Sequence, residues 1–220
     1  MAKKQKKEEV PVRKLPDLPD FAELTRLTEE SLLAGDPIEE SFAQNIDLSG
    51  RKIPALVAKA SIFENVTFAN CEVGSTRLKD VRVLKCDLSN AILRGLEATR
   101  VEFVDCRLIG MRAIECRCES VLFENCDGRY AQLNSGQVRV SECRGSHFEE
   151  SDFRATDLEN TVFMHIFLDR ADLTGARLRN TDLRGAQIDG IIVGLNDVRG
   201  AVVTAAQAMQ LAHLLGLTIK

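Results

Sequence analysis

The sequence predicts an all-β solenoid on three observations. Apolar residues recur every five positions without a break, and like residues recur every twenty. Neither the period near 3.6 of a helix nor the period of two of a flat strand fits. Stepping by five from Phe63 gives Phe68, Val73, Leu78, Val83, Leu88 and Leu93, and so on to Val203. Of these 29 centres, 24 are Phe, Leu, Ile or Val; the exceptions, Ala98, Ala113, Cys118, Gly128 and Cys143, are all small. A second, mostly small series runs two residues ahead of the centres: Ser61, Val66, Cys71, Thr76, Val81, Cys86, and later Thr156, Thr161, Ala171 and Ala176. The other three places in each pentad are mainly Asp, Glu, Arg, Asn, Gly or Ser. Two inward and three outward side chains make each pentad one short wall of a coil. Val81, Val101 and Val121 then form one inward column and Cys86, Cys106 and Cys126 the next, which puts four walls in a turn.

The cleanest copies are Ala171-Asp172-Leu173-Thr174-Gly175, Thr181-Asp182-Leu183-Arg184-Gly185 and Thr156-Asp157-Leu158-Glu159-Asn160. They follow the pattern A-(D/N)-L-x-x, and through them the chain resembles the pentapeptide-repeat family over roughly two thirds of its length. The resemblance implies a right-handed quadrilateral β-helix of about eight coils with α-helical caps at its N- and C-terminal ends. At about 4.8 Å between strands, eight coils make a rod roughly 40 Å long.

Taken in order, residues 1–16 read as a disordered basic tail, with four lysines in the first seven positions diluted by Glu8 and Glu9. Residues 17–45 read as an N-terminal helical cap. A helix is expected over Asp20–Ala34, with Asp20 and Glu23 at reciprocal capping positions and Gly35 as the stop. Such a cap covers the apolar end that a first coil exposes. The repeats are expected over 46–205, beginning near Ile46. Residues 206–220 read as a helix and tail, with Thr204 and Gln207 as a capping box and Gly216 as the stop. Met209, Leu211, Leu214 and Leu215 give this helix more apolar surface than a lid needs, so they are the expected contact of a homodimer.

The chain has 220 residues, is 45% hydrophobic, carries net charge −4 and has no Trp. No run approaches the ~20 apolar residues of a membrane span, and no signal-peptide h-region opens the sequence, so a cytoplasmic protein is expected. The seven cysteines fall at inward positions, where a free thiol behaves as a small hydrophobe; an odd count in a cytoplasmic chain argues against disulfides. Cys116-Arg117-Cys118 has no His or second Cys pair at zinc spacing. His147, His165 and His213 fall at an outside position, a corner and the terminal helix, and no nucleophile or phosphate motif is present. The expectation is a non-enzyme without cofactor or metal.

What remains is surface. Walls are numbered by their centres: wall 1 through Phe63, wall 2 through Phe68, wall 3 through Val73 and wall 4 through Leu78. Wall 2 carries three basic and seven acidic outward residues, and wall 4 nine basic and six acidic, so the rod is mildly polarised. Two groups of outward apolar residues suggest a protein partner: Leu84, Val104 and Leu122 on wall 1, and Val162, Met164 and Phe167 near His165. The N-terminal segment folding back over the first group is an equal alternative. The family resemblance also implies a competing role, since members of the quinolone-resistance type mimic DNA and bind DNA gyrase. Mimicry of that kind needs an acidic rod, and the basic residues of wall 4 speak against it. They are also too interrupted by acids, and too poor in aromatics, to bind nucleic acid directly.

Overall fold

Each centre from Ala43 to Ile188 is buried, and from Phe63 on each lies above the centre twenty residues before it. The chain is a parallel β-solenoid of about eight turns, known here from a computed structural model that describes residues 11–214 and Gly216, with Leu214 described by its backbone alone. Strands such as Leu56–Glu64 and Thr76–Leu84 bend across walls 4 and 1 and join a twelve-stranded sheet. A three-stranded sheet and single bridges hold walls 3 and 2. On wall 1 the register runs Ala43, Phe63, Val83, Phe103, Phe123, Cys143, Phe163 in one column. The Phe103 and Phe123 rings stack at 5.2 Å and 7°.

Corners impose the five-residue period. Every described non-glycine residue with positive φ has a number divisible by five, from Glu40 to Asn180. The left-handed conformation costs an L-residue roughly 1–2 kcal/mol, least for Asn, Asp and Gly. Hence Asn45, Asn65, Asn70, Asn90, Asn125, Asn160 and Asn180 at corners. Their amides also ladder: Asn65 donates to Asn45 at 2.7 Å and Asn180 to Asn160 at 3.1 Å. Val140, β-branched at φ 50°, is the costliest corner.

The small inward slot takes Ser, Thr or Cys because a carbonyl of the turn below is within reach. Cys86, Cys106 and Cys126 donate to the carbonyls of Phe63, Val83 and Phe103, and Thr156, Thr161 and Thr181 to those of Leu133, Val138 and Leu158. A buried polar group with a partner is tolerated. All seven cysteines are free and buried, and burial pushes the Cys86 thiol up to about 12. At Gly128 the Phe148 ring fills the place of the missing side chain; a Cβ there would lie 2.4 Å from it.

The ends differ from expectation. Residues 20–34 do not form one helix: Phe21–Glu23 make a single 3-10 turn without a side-chain cap from Asp20, and α1 spans only Glu29–Ala34. Phe21 packs on Phe42, and Thr25–Arg26 pair with Ser41–Phe42, so strand pairing takes the backbone that a longer helix would need. The cap of α1 is Thr28, whose hydroxyl accepts from the Ser31 amide. Coil pairing begins at Ile38–Glu39, earlier than Ile46. Residues 11–20, of which 11–16 fall in the expected tail, run along the rod; residues 1–10 lie outside the described residues. At the other end, α2 (Ala205–Leu214) starts from the expected capping box, with Gln207 N donating to Thr204 and Thr204 N to Gln207.

Replacing Phe103 by Ala should cost about 3–5 kcal/mol in chemical denaturation. A cost near zero would mean that the ring is not part of the stacked interior.

Candidate protein-interaction surfaces

Wall 4 is less charged than its composition suggests, because its bases meet acids one coil away. Arg77 and Arg117 both pair with Glu97, at 3.4 and 3.3 Å. Arg177 pairs with Asp157 at 2.5 Å, Arg139 with Glu159 at 2.8 Å, and Lys59 with Glu39. A twenty-residue repeat puts such partners about one strand spacing apart. Pairs whose basic partner stands in solvent add little stability each, but they cancel the field that wall 4 would otherwise project.

The edge between walls 4 and 1 is covered by residues 11–20. Arg13 Nη1 donates to Glu102 at 3.2 Å, and its Nε lies 3.8 Å from Glu142. The Asp17 amide donates to Asp80 at 3.0 Å. Asp80 is also gripped by Arg100 through two hydrogen bonds, at 2.5 and 2.6 Å. Burial alone would raise the Asp80 carboxyl; the hydrogen bonds from Arg100 and Asp17 and the charges of Arg100 and Lys79 hold it below its ordinary value. Outward residues along this edge, Ala60, Asp80, Glu102, Ser120 and Leu122, are buried. The strap was detectable only as a possibility, since Arg13 and Asp17 belong to no repeat.

These contacts sort the expected site residues. Leu122 is buried, 4% exposed, in register between Glu102 and Glu142. Leu84 and Val104, paired with each other one column further from the edge, are half-buried. Met164 is 42% exposed, while Val162 and Phe167 are half-buried. Val162 and Met164 share wall 1, but Phe167 lies around the corner on wall 2, stacked on His147 at 4.5 Å and 5°. Beside Met164 the strand register shifts against Gly185, whose hydrogen-only side lies on the Phe163 carbonyl. A shallow depression of about 300 Å³ results, lined by Val162, Met164, His165, Asp182 and Arg184.

At the C-terminal end Gln207 donates to the carbonyls of Leu183 and Ala186, at 2.6 and 2.8 Å, and Gln210 to Asp189 at 2.9 Å. Leu211 packs inward with the core, so it is not part of an outer face, whereas Met209 is exposed. The side chain of Leu214 and all of Leu215 lie outside the described residues. Three exposed residues that periodicity did not single out lie on the last coil: Ile192, Leu195 and Val202. Their inward-series neighbours in the sequence concealed them, because the frame continues while its burial fades.

Among the described residues no group of three His, Cys, Asp or Glu could hold a metal, and no helix is long and apolar enough to cross a membrane. Residues 151–190 match the family model of pentapeptide repeats, in eight copies. This stretch of the chain thus carries pentapeptide repeats, and the coils before it keep the same five-residue period and the same β-solenoid. Solved structures similar to it include a trypsin-treated variant of QnrB1, a plasmid-mediated fluoroquinolone resistance protein, at 24% identity over 84% of this chain and 91% of that one, TM-score 0.39. Another is HetL, a pentapeptide-repeat protein involved in heterocyst differentiation regulation from the cyanobacterium Nostoc sp., at 18% identity over 76% of this chain and 86% of that one, TM-score 0.33. No curated protein matches the chain.

Because the folded-state pKa of Asp80 is depressed, its contribution to stability is present above the unfolded value near 3.9 and is lost as pH falls through the folded value. The gap in urea midpoint between the natural chain and Asp80→Asn should therefore be widest above about pH 4 and narrow on further acidification. A gap constant from pH 7 to 3 would contradict this.

Proposed function

We propose that this chain is a non-enzymatic scaffold of the pentapeptide-repeat family that binds another protein through the outer surface of its later coils. The observation that carries the reading is where its exposed apolar residues lie. Of ten large hydrophobic residues exposed among those described, five lie beyond residue 160: Met164, Ile192, Leu195, Val202 and Met209. Exposed apolar residues gathered in one stretch of the rod point to a partner there. Met164, with Val162 and the Phe167–His147 stack around the corner, supplies the partner surface. The terminal coil and α2, through Leu195, Val202 and Met209, supply a contact between two copies. Free thiols throughout the interior suit a reducing cytoplasm. Charge mimicry of DNA is the competing reading. It is weakened by the pairing of acids with arginines on wall 4, which leaves no long unbroken column of negative charge there.

A tagged chain carrying Val162→Ser and Met164→Asp should lose a partner that the natural chain captures from its native cytoplasm, while Leu195→Asp with Met209→Asp should shift sedimentation toward monomer. Unaltered capture by the first variant would remove the proposed surface. Inhibition of DNA gyrase supercoiling at sub-micromolar concentration would favour the competing reading instead.

A further inference from the structure

We propose that the edge between walls 4 and 1 is a recognition site for an extended, arginine-bearing segment of a partner protein, and that the chain's own residues 11–16 occupy it in cis. The site is a column of three outward residues on consecutive coils, Glu102, Leu122 and Glu142, held in register by the sheet. The backbones of the first and third lie about two strand spacings apart, roughly 9.6 Å, with an apolar side chain between them. A guanidinium that bridges two carboxylates flanking a leucine suits that arrangement, and Arg13 reaches both carboxylates.

Both carboxylates are also held by arginines of the solenoid itself, one from the coil below and one from the same strand. Arg82 donates to Glu102 at 2.8 Å, and Arg144 to Glu142. The site is therefore built by the solenoid itself, and an incoming arginine meets acceptors already in place.

Its resident is imperfectly fitted. Arg13 Nε is buried without a hydrogen-bond acceptor, 3.8 Å from Glu142, and an unpaired buried donor costs free energy. Val12 and Leu15, on either side, are exposed and add no packing. Residues 11–16 are also held by their tether, through Asp17 on Asp80 and Phe21 on Phe42, which keeps their effective concentration high. An untethered segment able to satisfy both carboxylates competes on contacts alone. This site is separate from the Met164 surface and stands or falls independently of it.

The test uses the full chain with methyl-labelled leucine and a synthetic peptide with the sequence of residues 11–16. In Arg13→Glu the cis segment is repelled from the site, and the Leu122 methyl signals should move on peptide titration. The natural chain should need at least tenfold more peptide for the same shift. Adding Glu102→Gln and Glu142→Gln to Arg13→Glu, or replacing the arginine of the peptide by glutamine, should weaken binding at least tenfold. Arg13→Ala repeats the experiment without charge reversal, should that perturb the fold. Absence of binding to both Arg13 variants, or binding that survives loss of the two carboxylates, would overturn the proposal.

Discussion

A backbone that enters the left-handed region at nearly every fifth residue is the constraint from which the rest of this structure follows. Between corners only four residues remain, too few for a stable helix but enough for one wall with two side chains inward. The parallel pairing of each wall with the one a turn below satisfies the backbone, and burial of centre and small slot supplies the driving force. Corners cost conformational energy, so Asn and Gly collect there. The few bulky exceptions, Val140 above all, are held by the sheets on either side.

That same constraint explains how the interior can be rich in Ser, Thr and Cys without being weak. The small slot sits next to a carbonyl of the preceding turn, and a hydroxyl or thiol donates to it at coil after coil. Cysteine here is a space-filling donor, and its burial removes it from redox chemistry. Repetition also governs the surface. An acid and a base twenty residues apart become neighbours, so charge counted along the sequence overstates the field that the folded rod presents.

The repeat frame was legible because burial is locked to it: Phe63, Phe103 and Phe123 stand in one column, as their spacing required. The family model responds only to residues 151–190, where Ala or Thr in the small slot and Leu at the centre are commonest; earlier coils use Val, Cys and Phe for the same places. The terminal segments were less legible. Residues 20–34 carry helix-like capping signals, yet Thr25–Arg26 pair with the first coil, because an open sheet edge competes for the backbone more strongly than local propensity. The strap was harder still, since a single arginine between two acids forty residues apart leaves no local pattern. Of the surface candidates, Leu122 and Leu211 were placed outside by spacing or composition and lie inside for tertiary reasons, one between the two carboxylates that Arg13 reaches and the other against the last coil.

Twenty residues make one closed turn, and its columns are interchangeable along the rod. Excising residues 151–170 and, separately, residues 151–168 tests it most directly. The twenty-residue excision should leave a single cooperative unfolding transition, with a denaturant m-value lower by about one part in eight, as expected for one coil less of buried surface. The eighteen-residue excision should turn inward columns outward and abolish that transition. Equal tolerance of both excisions would contradict the account.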